Sequence, residues 1–241
     1  MDSKVVIIPT YNEKENIEAI LRKVFSLVGN YHVLVIDDGS PDGTAAIVKG
    51  LQEEYPERLH LLEREGKLGL GTAYLTGFKW CLERGYDYIF EMDADFSHNP
   101  DDLLRLHAAC AADGADLAIG SRYCHGVSVV DWPLGRIVMS YYASKYVRMV
   151  LGLKVKDTTA GFVCYSRKVL EAIDLDKVKM HGYGFQIEMK YTAWRLKFRL
   201  QEVPIIFINR QKGTSKMSGG IFSEALLGVI RLKFRRIRKK Q

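Results

Sequence analysis

Asp93 and Asp95 stand one residue apart at the end of the run Tyr86-Asp87-Tyr88-Ile89-Phe90-Glu91-Met92-Asp93-Ala94-Asp95. The tyrosines, Ile89 and Phe90 favour an extended strand, and the run is too short for a typical helix. Alternation along a continuing strand would turn both carboxylates to one side. Two close carboxylates repel, and each resists ionising without a compensating cation. A hard divalent ion such as Mg²⁺ or Mn²⁺ supplies it, its coordination usually completed by substrate phosphates. The plainer alternative is an ordinary acidic loop after a strand.

Two further polar clusters follow apolar runs. Pro9-Thr10-Tyr11-Asn12-Glu13 follows Val5-Val6-Ile7-Ile8, and Asp37-Asp38-Gly39-Ser40 follows His32-Val33-Leu34-Val35-Ile36. Continuous apolar runs of this length predict strands covered on both faces. In an open parallel sheet the carboxyl ends of such strands form the ligand crevice.

The intervening segments read as helices. Asn12 can cap the first, with Glu15 as its partner and Ile17, Ile20, Leu21, Val24 and Phe25 at helical period. Pro100 starts another, and Leu117-Ala118-Ile119-Gly120 is a strand ending at Ser121-Arg122-Tyr123. Alternation of strand and helix predicts an α/β chain with a Rossmann-like, mostly parallel sheet flanked by helices. Residues 124–133 read as a mobile loop and 134–151 as a long helix. Phe162 to Tyr165 reads as a strand, with helices over 167–173 and 184–196. A last strand over 200–208 is interrupted by Pro204, which predicts an edge position. Gly66-Lys67-Leu68-Gly69-Leu70-Gly71 fits neither the dinucleotide fingerprint nor a Walker A loop, and reads as a turn that opens a helix.

The 241 residues suffice for one domain with a sizeable core, and 47% hydrophobic with 27% charged residues is a globular composition. No apolar run approaches the roughly 18 residues of a membrane span. The first residues lead straight into a strand, so no signal peptide is expected. Cys81, Cys110, Cys124 and Cys164 show no metal or redox spacing and predict reduced thiols in a cytosolic protein. His32, His60, His107 and His125 show no ligand spacing either.

The three clusters, with Gly120-Ser121-Arg122-Tyr123, Gly182-Tyr183-Gly184-Phe185-Gln186-Ile187-Glu188-Met189 and Arg210-Gln211-Lys212-Gly213-Thr214-Ser215-Lys216, are also a pattern. In type and order they resemble the inverting family-2 glycosyltransferases of GT-A fold, above all the dolichol-phosphate (polyprenol-phosphate) mannose synthases. The motifs span nearly the whole chain. The resemblance implies that Pro9, Tyr11, Glu13, Ile36 and Asp38 hold the nucleoside of a sugar-nucleotide donor. It implies that Asp93, Ala94 and Asp95 meet the diphosphate, with Mg²⁺ or Mn²⁺ on Asp93 and Asp95. Ser97 stands where the family often has Gln, and is a third candidate ligand, direct or through water. Arg122, Arg210 and Lys216 would bind phosphate oxygens, a task suited to the guanidinium fork; Asp95, Arg122 and Arg210 are the candidate catalytic residues. The plainer alternatives are that Tyr11 is packing, that Asp37 only caps a turn, and that Arg122 pairs with a nearby carboxylate.

The implied reaction moves mannose from GDP-mannose to a polyprenyl phosphate with inversion; UDP-glucose is the alternative donor. A phosphomonoester is largely dianionic at neutral pH, so it needs cationic positioning more than a base. Two other classes compete. A nucleotidyltransferase would carry a glycine-rich basic loop after the first strand, where this chain has Pro9 to Glu13. A non-catalytic basic module would leave the acidic crevice unexplained.

That second class rests on the C-terminal tail. Phe222, Leu226, Val229, Ile230, Phe234 and Ile237 recur at helical spacing, and Arg231, Lys233, Arg235, Arg236, Arg238, Lys239 and Lys240 crowd the end. A core-packed helix with a solvated basic end and a nucleic-acid contact are two readings. The expectation preferred here is a unit of its own, 221–241 beside a catalytic domain 1–220. It lies on an anionic membrane surface and binds no nucleic acid. The protein would then be peripheral on the cytoplasmic face, alone or with a separate membrane subunit.

Overall fold

The computed structural model describes residues 2–180, 182–210 and 221–240, the stretch 221–226 by its backbone alone. Its frame is a seven-stranded sheet in the order β3-β2-β1-β4-β7-β5-β8. The strands are β1 (Lys4–Thr10), β2 (Tyr31–Asp37), β3 (Leu59–Glu63), β4 (Tyr88–Glu91), β5 (Leu117–Ser121), β7 (Val163–Ser166) and β8 (Leu200–Pro204). A separate ribbon pairs β6 (Val129–Val130) with β9 (Phe207–Ile208). All pairings are parallel except those of β7, which runs antiparallel to β4 and β5.

The apolar runs explain the layers. Along β1, Val5 and Ile7 enter one core cluster while Val6 and Ile8 enter the other. Leu34 and Ile36 of β2 part from Val33 and Val35 in the same way, as the two-residue strand period demands. One face is covered by α1 (Ile17–Phe25), α2 (Thr44–Glu54) and α4 (Asp102–Ala111). The other is covered by α3 (Leu70–Glu83), α5 (Leu134–Leu151), α6 (Arg167–Ala172), α7 (Tyr183–Arg195) and α8 (Ile221–Phe234).

Several expectations need correction. The first helix starts at Ile17, with Asn16 at its cap, whereas Asn12 has φ 56° and lies outside it. The reason is a tie to the loop after β2. Asn12 N–H donates to Ser40 Oγ, Glu13 N–H to Thr44 Oγ1 and Lys14 N–H to Asp42 Oδ2. The strand expected over 200–208 is two strands: β8 ends at Pro204 on the sheet edge, and β9 leaves to pair with β6. The expected loop 124–133 therefore contains a strand.

The tail does not stand apart as a unit. α8 packs on α5 and α7, and Val229 and Leu232 are buried in the core that α7 also lines. Arg235 pairs with the fully buried Glu188 of α7, and the Lys240 N–H donates to the Ala172 carbonyl. The expected apolar stripe is thus divided, with Ile230 and Phe234 turned outward. Among the described residues no helix is long and apolar enough to cross a membrane.

Candidate active site

The strand ends meet, as expected, in one cleft of about 1130 Å³. Pro9, Tyr11, Glu13 and Asp38 line one part, and Asp93, Ala94, Asp95 and Ser97 its floor. Arg122 and Arg210 line it from the chain's second half. Ile36 does not line it: it is fully buried in the core, against Gly77. Lys216 lies outside the described residues.

The carboxylates occupy the tight corner after β4. Phe96 takes φ 58° there, a strained value of the kind that collects at functional sites. The turn lets the Ser97 N–H donate to Asp95 Oδ1 at 3.1 Å. Arg210 Nη2 donates to Asp95 Oδ2 at 2.6 Å, and its Nη1 lies 3.7 Å from Glu13. Burial alone would raise the Asp95 pKa, but Ser97 and Arg210 outweigh it and hold it below the usual carboxylate range. Asp93 goes the other way: burial, then the Asp95 charge, push it up to about 7.

Arg122 is neutralised from behind. Its Nε and backbone N–H both donate to Asp157 Oδ2, at 2.7 and 2.9 Å, and its Nη2 donates to Asp157 Oδ1 at 2.6 Å. Asp157 is fully buried. The carboxylate pairing open to Arg122 in the sequence is therefore real, and it fixes the guanidinium at the cleft wall. Trp132 lies against it, and Arg136 stacks on the same ring at 3.9 Å. Asp37 serves its own turn, accepting from Thr10 Oγ1 and from the Ser40 N–H and hydroxyl.

Three features escape the sequence. Arg64, just past β3, binds Asp38, and the strand-end rule used for the other clusters would have found it. His98 accepts a 3.4 Å hydrogen bond from the Asp93 N–H and stacks on Phe162, and burial holds its pKa down at about 4. Behind the floor, Gln186 Nε2 donates to Glu91 and Lys190 Nζ donates to Gln186 Oε1. Burial brings both ends of that chain to about 8, Glu91 from below and Lys190 from above. No periodicity announces a buried lysine.

Comparison with known proteins agrees with this geometry. Residues 5–174 match Glycosyl transferase family 2. The chain is 50% identical over 225 residues to the polyprenol monophosphomannose synthase of Mycolicibacterium smegmatis, covering 93% of this chain and 84% of that protein. It is 48% identical over 227 residues to the undecaprenyl-phosphate mannosyltransferase of Micrococcus luteus, covering 94% and 92%. Glucosyl-3-phosphoglycerate synthase of Mycobacterium tuberculosis, solved with Mn²⁺, uridine diphosphate and phosphoglyceric acid, superposes with a TM-score of 0.71. Identity there is 20%, over 97% of this chain and 79% of that one, a likeness of fold. The chain belongs to glycosyl transferase family 2 and has the GT-A fold.

Proposed function

We propose that this protein transfers mannose from GDP-mannose to a polyprenyl phosphate, inverting the anomeric centre. The observation that carries the reading is a single cleft in which a carboxylate pair faces two arginines, in a chain about half identical to two polyprenyl-phosphate mannosyltransferases. Pro9, Tyr11, Glu13 and Asp38 would hold the nucleoside, and Lys216 would add a cation to the phosphates.

A divalent metal, Mg²⁺ or Mn²⁺, fits this cleft on the chemistry of its donors. Asp93 and Asp95 are hard oxygen ligands, and the buried Ser97 hydroxyl, close beside Asp95, makes no well-formed hydrogen bond among the described residues. Among the described residues no three His, Cys, Asp or Glu side chains form a complete cage, so donor phosphate oxygens would complete the shell. When bound, the metal would supply charge neutralisation at the departing diphosphate. The protein's own part is positioning. Arg122, fixed by Asp157, and Arg210, held over Asp95, offer cations to two anions that must approach each other.

α8 supports a place on an anionic membrane surface, since Arg231, Lys233, Arg236 and Arg238 are exposed beside outward Ile230 and Phe234. A cytoplasmic face fits a nucleotide-sugar donor and the four free cysteines. A separate membrane subunit would strengthen the attachment.

The test is a panel of sugar nucleotides with one polyprenyl phosphate and a divalent metal. Transfer of mannose from GDP-mannose, and not of glucose from UDP-glucose, is expected. Glucose transfer alone would replace the donor assignment, and transfer from neither would end the reading.

A further inference from the structure

Lys190 of α7 is fully buried, and all three of its ammonium protons are engaged inside the protein. Nζ donates to the Ala160 carbonyl at 2.6 Å, to Gln186 Oε1 at 2.9 Å and to the Gln186 carbonyl at 3.3 Å. The charge it faces through Gln186 is Glu91, also fully buried. Desolvation of two such groups offsets much of their attraction, so the pairing is weak ground for stability. What it fixes is geometry, and both of its ends lie at the site.

One end is β4. Gln186 Nε2 donates to Glu91 Oε2 at 2.7 Å, and Glu91 closes β4, just ahead of the carboxylate corner. The other end is the segment 157–162, which belongs to no strand or helix. Its first residue, Asp157, holds Arg122, and the Asp157 N–H donates to Glu202 Oε1 at 2.9 Å. At its last residue, the Phe162 carbonyl accepts from the Gly120 N–H at 2.8 Å. Between those anchors Thr159 Oγ1 accepts from Arg122 Nη2 at 2.9 Å, and Thr159, Ala160 and Gly161 line the cleft. The Lys190 bond falls in the middle of this span, on the residue next to Thr159.

We propose that Lys190 is a positioning residue for sugar transfer: with Gln186 it sets the spacing between the carboxylate corner after β4 and the segment that holds Arg122. Without the ammonium, the Ala160 carbonyl loses its donor and the segment loosens. Arg122, bonded to Asp157 and Thr159 on that segment, loosens with it. This deepens the mannosyl-transfer reading above and rests on it for the kinetic half of the test; the other half needs no activity.

The experiment uses the full chain. Lys190→Met removes the ammonium and keeps the bulk, while Glu91→Gln/Lys190→Met also removes the charge left behind. Mannose transfer from GDP-mannose to a soluble short prenyl phosphate with Mn²⁺ is measured beside melting. Hydrogen exchange is followed at the Arg122 and Gly120 amides and at those of β1 and β2. In both variants kcat is expected to fall about tenfold or more, with the KM for GDP-mannose within about threefold of wild type. Exchange at Arg122 and Gly120 should speed up about tenfold relative to β1 and β2. The double variant should regain melting temperature over Lys190→Met without regaining kcat. Wild-type kcat in Lys190→Met overturns the proposal, and so does exchange that rises equally in all four places. Recovery of kcat together with melting in the double variant also overturns it, because the lysine would then only balance Glu91. If the wild type transfers no mannose but exchange changes as expected, the functional reading fails and the tie to the Arg122 segment stands. Should Lys190→Met not fold, the double variant carries both measurements, and wild-type kcat and exchange there overturn the proposal.

Discussion

Arg64 brings two nitrogens to one oxygen of Asp38: Nε donates to Oδ1 at 2.7 Å, and Nη2 forms an ion-pair contact with the same atom at 2.5 Å. The same guanidinium donates to Thr72 Oγ1 and the Gly69 carbonyl at the start of α3. One carboxylate oxygen is thus tied to the protein, and Asp38 still lines the cleft. Arg64→Gln is expected to weaken GDP binding about tenfold through Asp38. In Asp38→Asn/Arg64→Gln, the second change should add almost nothing to the first. Titration calorimetry on the four proteins checks this, and fully additive losses would show that Arg64 acts elsewhere.

The raised Asp93 pKa gives a pH dependence with a definite sign. Below about pH 7 its carboxyl holds a proton that an arriving cation must displace. Affinity for Mn²⁺ should therefore fall as pH drops from 7 to 5 and level off above 7. Without metal, the folded chain holds that proton more tightly than the unfolded chain does. The resulting stability is full below the ordinary carboxylate range and is lost as pH rises through about 7. Melting of the chelated protein at pH 5 and 8, beside Mn²⁺ titrations, tests both halves. Asp95→Ala should abolish transfer and leave the fold intact; full activity in chelator would defeat the metal assignment.

Arg210 reaches Asp95 and Glu13 with different nitrogens. A lysine keeps the charge but cannot span both. Arg210→Lys is expected to lower kcat/KM on the order of a hundredfold, the scale of one lost donor at a developing charge. Turnover equal to wild type would mean that the charge alone suffices.

The tail contributes to stability through Val229, Leu232 and Arg235. Leu232→Ala is expected to cost about 2–5 kcal/mol by leaving a cavity. Removing 221–241 would bare α7 and take the arginine from Glu188, leaving it only the Lys179 and Met180 N–H groups, so donor affinity should be lost along with the fold. A truncated protein with wild-type melting and GDP affinity would restore the tail as a separate unit.

The strands and the polar residues at their ends were legible because burial on two faces imposes continuous apolar runs, as in Val5 to Ile8. The helix starting at Ile17 was misread because Asn12 looks like a cap until Ser40 and Thr44, far along the chain, claim the backbone beside it. The direction of β7 left no mark, since Phe162-Val163-Cys164-Tyr165 reads alike in either sense. Asp157 left no mark for a related reason, since its partner Arg122 lies 35 residues away; Lys190 bonds Gln186 one turn back, but its other acceptor, the Ala160 carbonyl, lies 30 residues off. The tail's pattern was seen, but apolar spacing cannot tell a core-facing stripe from an outward one.

The reversed strand has a consequence for how the molecule assembles. β1, β2, β3 and β4 all come from the first 91 residues, and β7, β5 and β8 from later ones. Asp93 and Asp95 follow β4, which is bordered by β1 on one side and β7 on the other, so the carboxylate corner sits on the seam between an early-made and a late-made half. Closing that seam joins Tyr88 to Ser166, a long loop whose closure is slow compared with local pairing. In refolding, binding of GDP with Mn²⁺ is expected to return after the bulk of the far-ultraviolet signal. Simultaneous recovery would show that the two halves condense together. On the expected outcome, the reacting corner is the last part of the chain to become itself.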